Sequence, residues 1–293
     1  MIQHLNSSRN KPARVIVLGG SGFVGKALVT HLEVHGIPAV SIASANMDLI
    51  KPESTQQLQG LLRPDDALAF CSALTPDKGK DSRALMKNLT MAQHVSEALQ
   101  KAKCAHVIYV SSDAVYEESP NPIRESTCPA PASLYAIMHL TREKMLASVL
   151  DKSGVPLLIL RPCAIYGAGD THNSYGPNRF IRAAKKDGKI SLFGMGEEKR
   201  HHLYVDDFIG VITECLVRRS QGLMNVAGIE AIPFGAVAKK ISDLCDPPAR
   251  LESLPRQTPI THRHFDLSNL MRAFPALRWR TLELGLAEAF SRT

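Results

Sequence analysis

The chain has no cysteine pair at C-x-x-C spacing, no apolar run approaching 18 residues, no internal repeat and no low-complexity tract. The first absence argues against bound zinc. The six cysteines are Cys71, Cys104, Cys128, Cys163, Cys215 and Cys245, and several sit in apolar runs. There a thiol behaves as a small hydrophobe, and a reducing compartment fits best. Without a long apolar run no transmembrane helix is expected. The segment from Met1 to Lys11 is polar and lacks the apolar centre of a signal peptide, so a cytoplasmic location is expected. Long basic runs are missing too. The formal net charge is +7, but the densest groups are only Lys185-Lys186, Lys199-Arg200 and Arg218-Arg219, none among aromatics. Nucleic acid and membrane are therefore not expected partners, whereas a phosphorylated small molecule fits the charge.

What is present is an ordinary globular composition: 293 residues, 44% hydrophobic and 22% charged. Short apolar runs at 14–18, 39–43, 67–71, 106–110 and 156–160 alternate with helical patterns at 23–35, 53–62, 83–101 and 134–150. Strands alternating with helices of this length predict βαβ units and a parallel sheet. The fold class expected is α/β, a Rossmann-type doubly wound parallel sheet with a smaller C-terminal lobe for substrate. Beyond Arg161-Pro162 the pattern loosens. Helices are expected at 179–186, 206–218 and 282–290, with a strand at 189–193. The boundaries expected are 12–166 for the dinucleotide domain, with 200–226 returning to it, and 167–199 plus 227–293 for the lobe.

Gly19-Gly20-Ser21-Gly22-Phe23-Val24-Gly25 follows the first strand and opens a helix. Glycines there permit a tight turn and close backbone approach to a pyrophosphate, and the helix N-terminus offers free N–H groups. In this context the motif predicts a dinucleotide site at Gly19, Gly22, Phe23, Val24 and Gly25. The second strand ends at Ala43 or Ser44, with no acid to bind ribose hydroxyls. That leans slightly to NADP over NAD, although no arginine stands nearby. Asp48, followed by Leu49, reads either as a partner of the adenine amino group or as a turn cap.

Three further segments complete a pattern: Ser111-Ser112-Asp113-Ala114-Val115-Tyr116, then Tyr135-Ala136-Ile137-Met138-His139, then Leu160-Arg161-Pro162 with Ile165-Tyr166-Gly167. With the glycine turn, they resemble the extended short-chain dehydrogenase/reductases, the NAD(P)-dependent sugar epimerase/dehydratase family. The resemblance implies a catalytic group of Ser112 and Tyr135, with His139 standing where the family has lysine. A phenol and a hydroxyl that share a substrate oxygen suit proton transfer beside hydride transfer. One helical turn keeps His139 on the face of Tyr135, and a lysine restored at 139 is expected to keep or raise activity. The same resemblance implies cofactor contacts from Ser111, Pro162 and Ile165 and from the small residues Ser72 and Ala73. It also makes Asn88 a structural residue that bonds backbone near the site.

Dehydratases of this family carry Asp-Glu after the hydroxyl residue; here the pair is Asp113-Ala114, which favours epimerisation or keto reduction. On the substrate side, Asn178 and Arg200 resemble the residues that meet the diphosphate of a sugar nucleotide, and Arg263 is a second arginine candidate. His172 is expected to be a solvated loop histidine, with approach to substrate as the alternative. His201-His202 beside Asp206-Asp207 is read as structural, and no metal is expected. The expected function is an NAD(P)-dependent nucleotide-sugar epimerase or keto-sugar reductase. A non-catalytic NAD(P)-binding regulator is the alternative that His139 raises. Family members often pair through the helices corresponding to 83–101 and 134–150, so a homodimer is expected.

Overall fold

The computed structural model describes residues 2–116 and 121–293. After a short strand β1 (Gln3–His4), the chain lays down β2 (Arg14–Leu18), α1 (Phe23–Val34), β3 (Ala39–Ile42), α2 (Glu53–Leu61), β4 (Asp66–Phe70) and α3 (Ser82–Lys101). Then follow β5 (His106–Val110), a 3-10 turn (Asp113–Val115), α4 (Leu134–Ser153) and β6 (Leu157–Pro162). The central sheet has the order β1-β10-β6-β5-β4-β2-β3, in which β10 is Ser220–Val226. Its pairings are parallel except the antiparallel edge made by β1 on β10.

Each inner strand reads as a continuous apolar run because both faces of the sheet are covered. Val15 and Val17 point to one face, where α1 and α6 (Val205–Val217) contribute Leu28, Leu32, Phe208 and Ile212. Ile16 and Leu18 point to the other, against Leu58 of α2, Met91 and Val95 of α3 and Leu146 of α4. The same alternation sends Ile108 one way and Val107 and Tyr109 the other. At the sheet margin the buried carboxylate of Asp66 is held by Arg14, with Nη2 2.6 Å from Oδ2.

The winding reverses at β2: β3 lies on one side of it and β4, β5 and β6 run off the other. A crevice opens outside the carboxyl ends of strands at such a switch point. Over it sits a third apolar cluster, formed by Phe180 and Ile181 of α5 (Pro177–Asp187), Ile190 and Leu192 of β8 (Lys189–Phe193), Val237 and Ile241 of α7 (Phe234–Ser242), and Leu286 of the helix Leu282–Arg292. Two small sheets brace this region. In one, β9 (Lys199–Tyr204) lies between β7 (Ala164–Tyr166) and β11 (Ala231–Pro233); in the other, β12 (Arg250–Leu254) pairs with β8. Among the described residues no helix is long and apolar enough to cross a membrane.

Candidate active site

A cavity of about 490 Å³ lies at the switch point and runs from the glycine turn to the residues of β9 and the 261–265 loop. Gly19, Gly22, Phe23, Val24 and Gly25 line one end. Gly19 has φ +85°, and a Cβ there would lie 2.8 Å from the Ser72 backbone. A Cβ on Gly25 would stand 2.2 Å from the Gly19 carbonyl oxygen, so only glycine lets the helix start so close to the turn. Gly22 caps α1 with no side-chain bond, and the first turn holds no acid. The orphan N–H groups of that turn therefore remain available to an anion.

Tyr135 stands in the first turn of α4, which Ser133 starts by accepting the Ala136 N–H at 3.2 Å. Ser112 ends the loop after β5; its hydroxyl accepts the Ala114 N–H at 3.1 Å and acts to lower the pKa of the Tyr135 phenol. Both line the cavity. Burial pushes the phenol up to about 12, against the lowering effects of the Ser112 hydroxyl and the charge of Arg142. One turn further along, His139 packs edge-on to the Tyr135 ring, centroids 4.6 Å apart. Its Nδ1 meets the Tyr109 hydroxyl at 2.7 Å. Its Nε2 is buried with no partner among the described residues, and the residue lines the cavity. Burial, helped by the charge of Arg142, holds the imidazole well below its ordinary pKa. The group at the family's lysine position is thus a neutral one.

Arg142, fully buried, is a fixed cation whose charge acts on both Tyr135 and His139. Its Nε and Nη2 donate to the Asn88 carbonyl at 2.9 and 2.6 Å, and Nη1 donates to the Ser72 carbonyl at 2.7 Å. Phe70 offers its ring face 4.9 Å from the guanidinium carbon. Asn88 clamps the loop after β4 through both ends of its amide, accepting from Leu74 N at 2.8 Å and donating to Leu74 O at 3.0 Å. Behind the cavity, Glu143 is buried and forked by Arg161, with Nη2 2.5 Å from Oε2. It also accepts from the Ser111 hydroxyl at 2.5 Å. Ser111 lines the cavity, but its hydroxyl is used in this network.

On the far wall, Arg263 donates to the Asp113 carboxylate at 3.2 Å and to the Tyr116 carbonyl at 2.8 Å. Arg200 donates to Thr261 through its carbonyl and its hydroxyl. His172 lines the cavity as well and pairs with Asp77 at 2.5 Å, so it is not simply a solvated loop histidine. Burial works against the charge of Asp77, but bonds from Thr75 and His172 hold its carboxyl below the ordinary value. His201 is engaged at both nitrogens: Nδ1 with the Gly228 carbonyl at 2.6 Å, and Nε2 accepting the Phe265 N–H at 3.2 Å. Asp207 is held by Arg280 at 2.6 Å.

The structure gathers Ser112, Tyr135, His139, Ala73, Pro162, Ile165, Arg200 and Arg263 around one cavity with the glycine turn. Five residues singled out in the sequence do not line it. Ser44, Asp48 and Leu49 lie beyond the end of β3, beside the turn whose Gly19 and Gly20 N–H groups bond the Ile42 carbonyl. Asp48 accepts the Ile50 N–H at 3.1 Å, as a turn cap does. Ser72 lies behind Gly19. Asn178 is buried and holds Gly167 N and Asp170, at 3.1 and 2.6 Å, so both ends of its amide brace the 167–178 loop. Sequence reading passed over Tyr109 and Arg142. Tyr109 sits in an apolar strand run, where the pattern signals core.

Comparison with known proteins agrees with this geometry. Residues 15–227 match the NAD dependent epimerase/dehydratase family. An uncharacterized UDP-glucose epimerase of Bacillus subtilis is 23% identical, over 79% of this chain and 82% of its own length. The dTDP-4-dehydro-6-deoxyglucose reductase of Escherichia coli is also 23% identical, over 91% and 92%. Among solved structures, RMD from Pseudomonas aeruginosa complexed with NADPH superposes with a TM-score of 0.83 at 21% identity, covering 96% of this chain and 98% of that one. A glycine turn that seats a helix N-terminus beside a serine–tyrosine pair, in a chain matched over most of its length, places this protein in the NAD dependent epimerase/dehydratase family.

Proposed function

We propose that the protein is an NAD(P)-dependent enzyme of sugar nucleotides that interconverts a ring carbinol and its ketone, as a keto-sugar reductase or an epimerase. The observation that carries this reading is the Tyr135 phenol, sharing the cavity wall with Ser112 and packed on a histidine with an Nε2 unpartnered among the described residues, in the cavity that the glycine turn opens. These residues fit a nicotinamide dinucleotide. The first turn of α1 would hold the pyrophosphate, and His139 would meet the nicotinamide ribose. When bound, the dinucleotide supplies or accepts the hydride at the carbon. Tyr135 gives the proton to the carbonyl oxygen in reduction and takes it back in oxidation, while Ser112 holds the same oxygen.

Arg200 and Arg263 are proposed to meet the substrate diphosphate, with the segments 167–199 and 227–293 covering the sugar. Asp113 is tied to Arg263 and no glutamate follows it, so loss of water from the sugar is not part of the proposal. The lean to NADP(H) rests on the lack of an acid near Ser44.

The test is incubation with NADPH or NADH and a panel of UDP-, GDP-, ADP- and dTDP-linked sugars and 4-keto sugars. Dihydronicotinamide absorbance and sugar configuration by NMR are the readouts. Turnover that Tyr135→Phe abolishes, with dinucleotide binding kept, is the expected result. Tight dinucleotide binding with no turnover anywhere on the panel overturns the proposal and makes the protein a binding regulator.

A further inference from the structure

We propose that the far side of the β7–β9–β11 sheet holds a second small-molecule site, built for an uncharged, hydroxyl-bearing ring of monosaccharide size that hydrogen-bonds His202. This inference goes beyond the proposed function and does not rest on it.

A strand sends successive side chains to opposite faces. On β9, His201 goes to the face that lines the large cavity, while His202 and Tyr204 go to the other. On β7, Ile165 and Tyr166 divide in the same way. Behind the sheet lies a cavity of about 290 Å³ that shares no lining residue with the first. Pockets for small ligands begin at about this size, near 300 Å³.

Its wall carries polar groups that the protein leaves unused. His202 is 7% exposed, and neither of its ring nitrogens has a partner among the described residues. Burial, with the charges of His201 and Arg200, holds this imidazole down at about 3. The ring is therefore neutral and presents one N–H donor and one bare acceptor. Trp279 Nε1 is a third buried polar atom of this wall without a partner among the described residues. His201, next in the chain, has both of its nitrogens engaged. A buried polar atom left unpaired is costly, and the contrast between the two histidines marks the second cavity as the place where the partners are missing.

The rest of the wall sets the ligand chemistry. The rings of Tyr166 and Tyr204, with centroids 5.4 Å apart, and the Trp279 indole offer flat apolar surface. The one cation of the wall, Arg280, is paired with Asp207 at 2.6 Å, and Glu283 is paired with Lys240. An anion thus meets no unpaired cation there, and an ammonium cannot accept the indole N–H. A hydroxyl both donates and accepts, so the rim of a sugar ring can serve His202 and Trp279 together. Its C–H faces then lie against the aromatic rings.

Trp279 is the single tryptophan of the chain, so intrinsic fluorescence reports on this cavity directly. The full chain is titrated with glucose, galactose, mannose, fucose and myo-inositol. At least one should give a saturable change, with a Kd of about 0.1–10 mM for so small a ligand. His202→Phe keeps an aromatic ring against Phe234, which His202 meets at 5.4 Å between centroids, and removes both nitrogens. It should abolish the response and raise the melting temperature by about 2–6 °C, as for removal of unsatisfied buried polar atoms. No saturable response to any probe in the native protein overturns the proposal, whether or not the variant folds. An equal response in folded His202→Phe also overturns it. So does a melting temperature of that variant that is unchanged or lowered, since the nitrogens would then already be satisfied by ordered water. Turnover of sugar nucleotides enters none of these readings, so this proposal and the proposed function fail separately.

Discussion

In the reductive direction the rate should be almost indifferent to pH. The perturbation is pH itself, and the two groups that respond in a family site are the tyrosine and the residue one turn beyond it. Burial raises the Tyr135 phenol to about 12. A raised phenol keeps its proton, and the acid function is lost only as pH rises through that value. At pH 8 about one molecule in ten thousand is ionised. His139 is shifted the other way, so it stays neutral from alkaline pH down to well below the ordinary imidazole range. Bound NADPH adds no positive charge on its nicotinamide ring to disturb either group. We expect kcat/KM for a keto-sugar nucleotide at saturating NADPH to vary less than about twofold from about pH 5.5 to 9.5. The assay is loss of dihydronicotinamide absorbance across a buffer series of constant ionic strength. An alkaline limb near pH 8 would require about 5 kcal/mol of extra stabilisation of the phenolate. Such a limb, or an acid limb near pH 6.5, refutes the reading of a neutral histidine beside a fully protonated phenol.

Further outcomes follow from particular contacts. Gly25→Ala should abolish dinucleotide binding, checked by fluorescence titration with NADPH, because its Cβ would meet the Gly19 carbonyl oxygen at 2.2 Å and force the turn apart. His139→Lys should lose stability by about 3–5 kcal/mol, as for an uncompensated buried charge, because the ammonium would lie in the field of Arg142; urea denaturation measures it. Glu143→Ala should cost a similar amount, about 3–5 kcal/mol, since it leaves the Arg161 guanidinium buried without its carboxylate; the same denaturation series reads it. Ser112→Ala should lower kcat about 10²-fold or more with little change in NADPH affinity, measured by steady-state kinetics and titration.

Much of the sheet was legible because its inner strands are apolar on both faces. The runs at Val15–Leu18 and Val107–Val110 stand out against helical spacing on either side. The glycine turn and the helix start at Tyr135 were legible for local reasons: positive φ at Gly19, and a serine cap two residues before the tyrosine. The strand Ser220–Val226 was not singled out, since Ser220, Gln221, Gly222 and Asn225 break the apolar run. It is buried by pairing with Leu157–Pro162, where Gly222 meets Leu158 and Val226 meets Pro162 across a long stretch of chain. The helix Phe234–Ser242 was likewise hidden in a proline-punctuated tail.

At the site, sequence distance was again the obstacle. Arg142, three residues past His139, reads as one more polar residue of an amphipathic helix. Only the fold brings Ser72 and Asn88 to it, from two other segments. That surrounding sets an expected stability cost against the expectation that a lysine at 139 keeps or raises activity. Asn178 shows the opposite effect: its amide is drawn into bracing Gly167 and Asp170, because the 167–178 loop has backbone and carboxylate groups to satisfy.

Single-turnover transfer of deuterium from C4-labelled NADPH to a keto-sugar nucleotide, in wild type and Tyr135→Phe, bears most directly on the proposed chemistry. Label should enter the sugar ring in the wild type. In Tyr135→Phe, transfer should slow about 10²- to 10⁴-fold while NADPH still binds. Equal transfer rates in the two proteins would contradict a proton role for Tyr135.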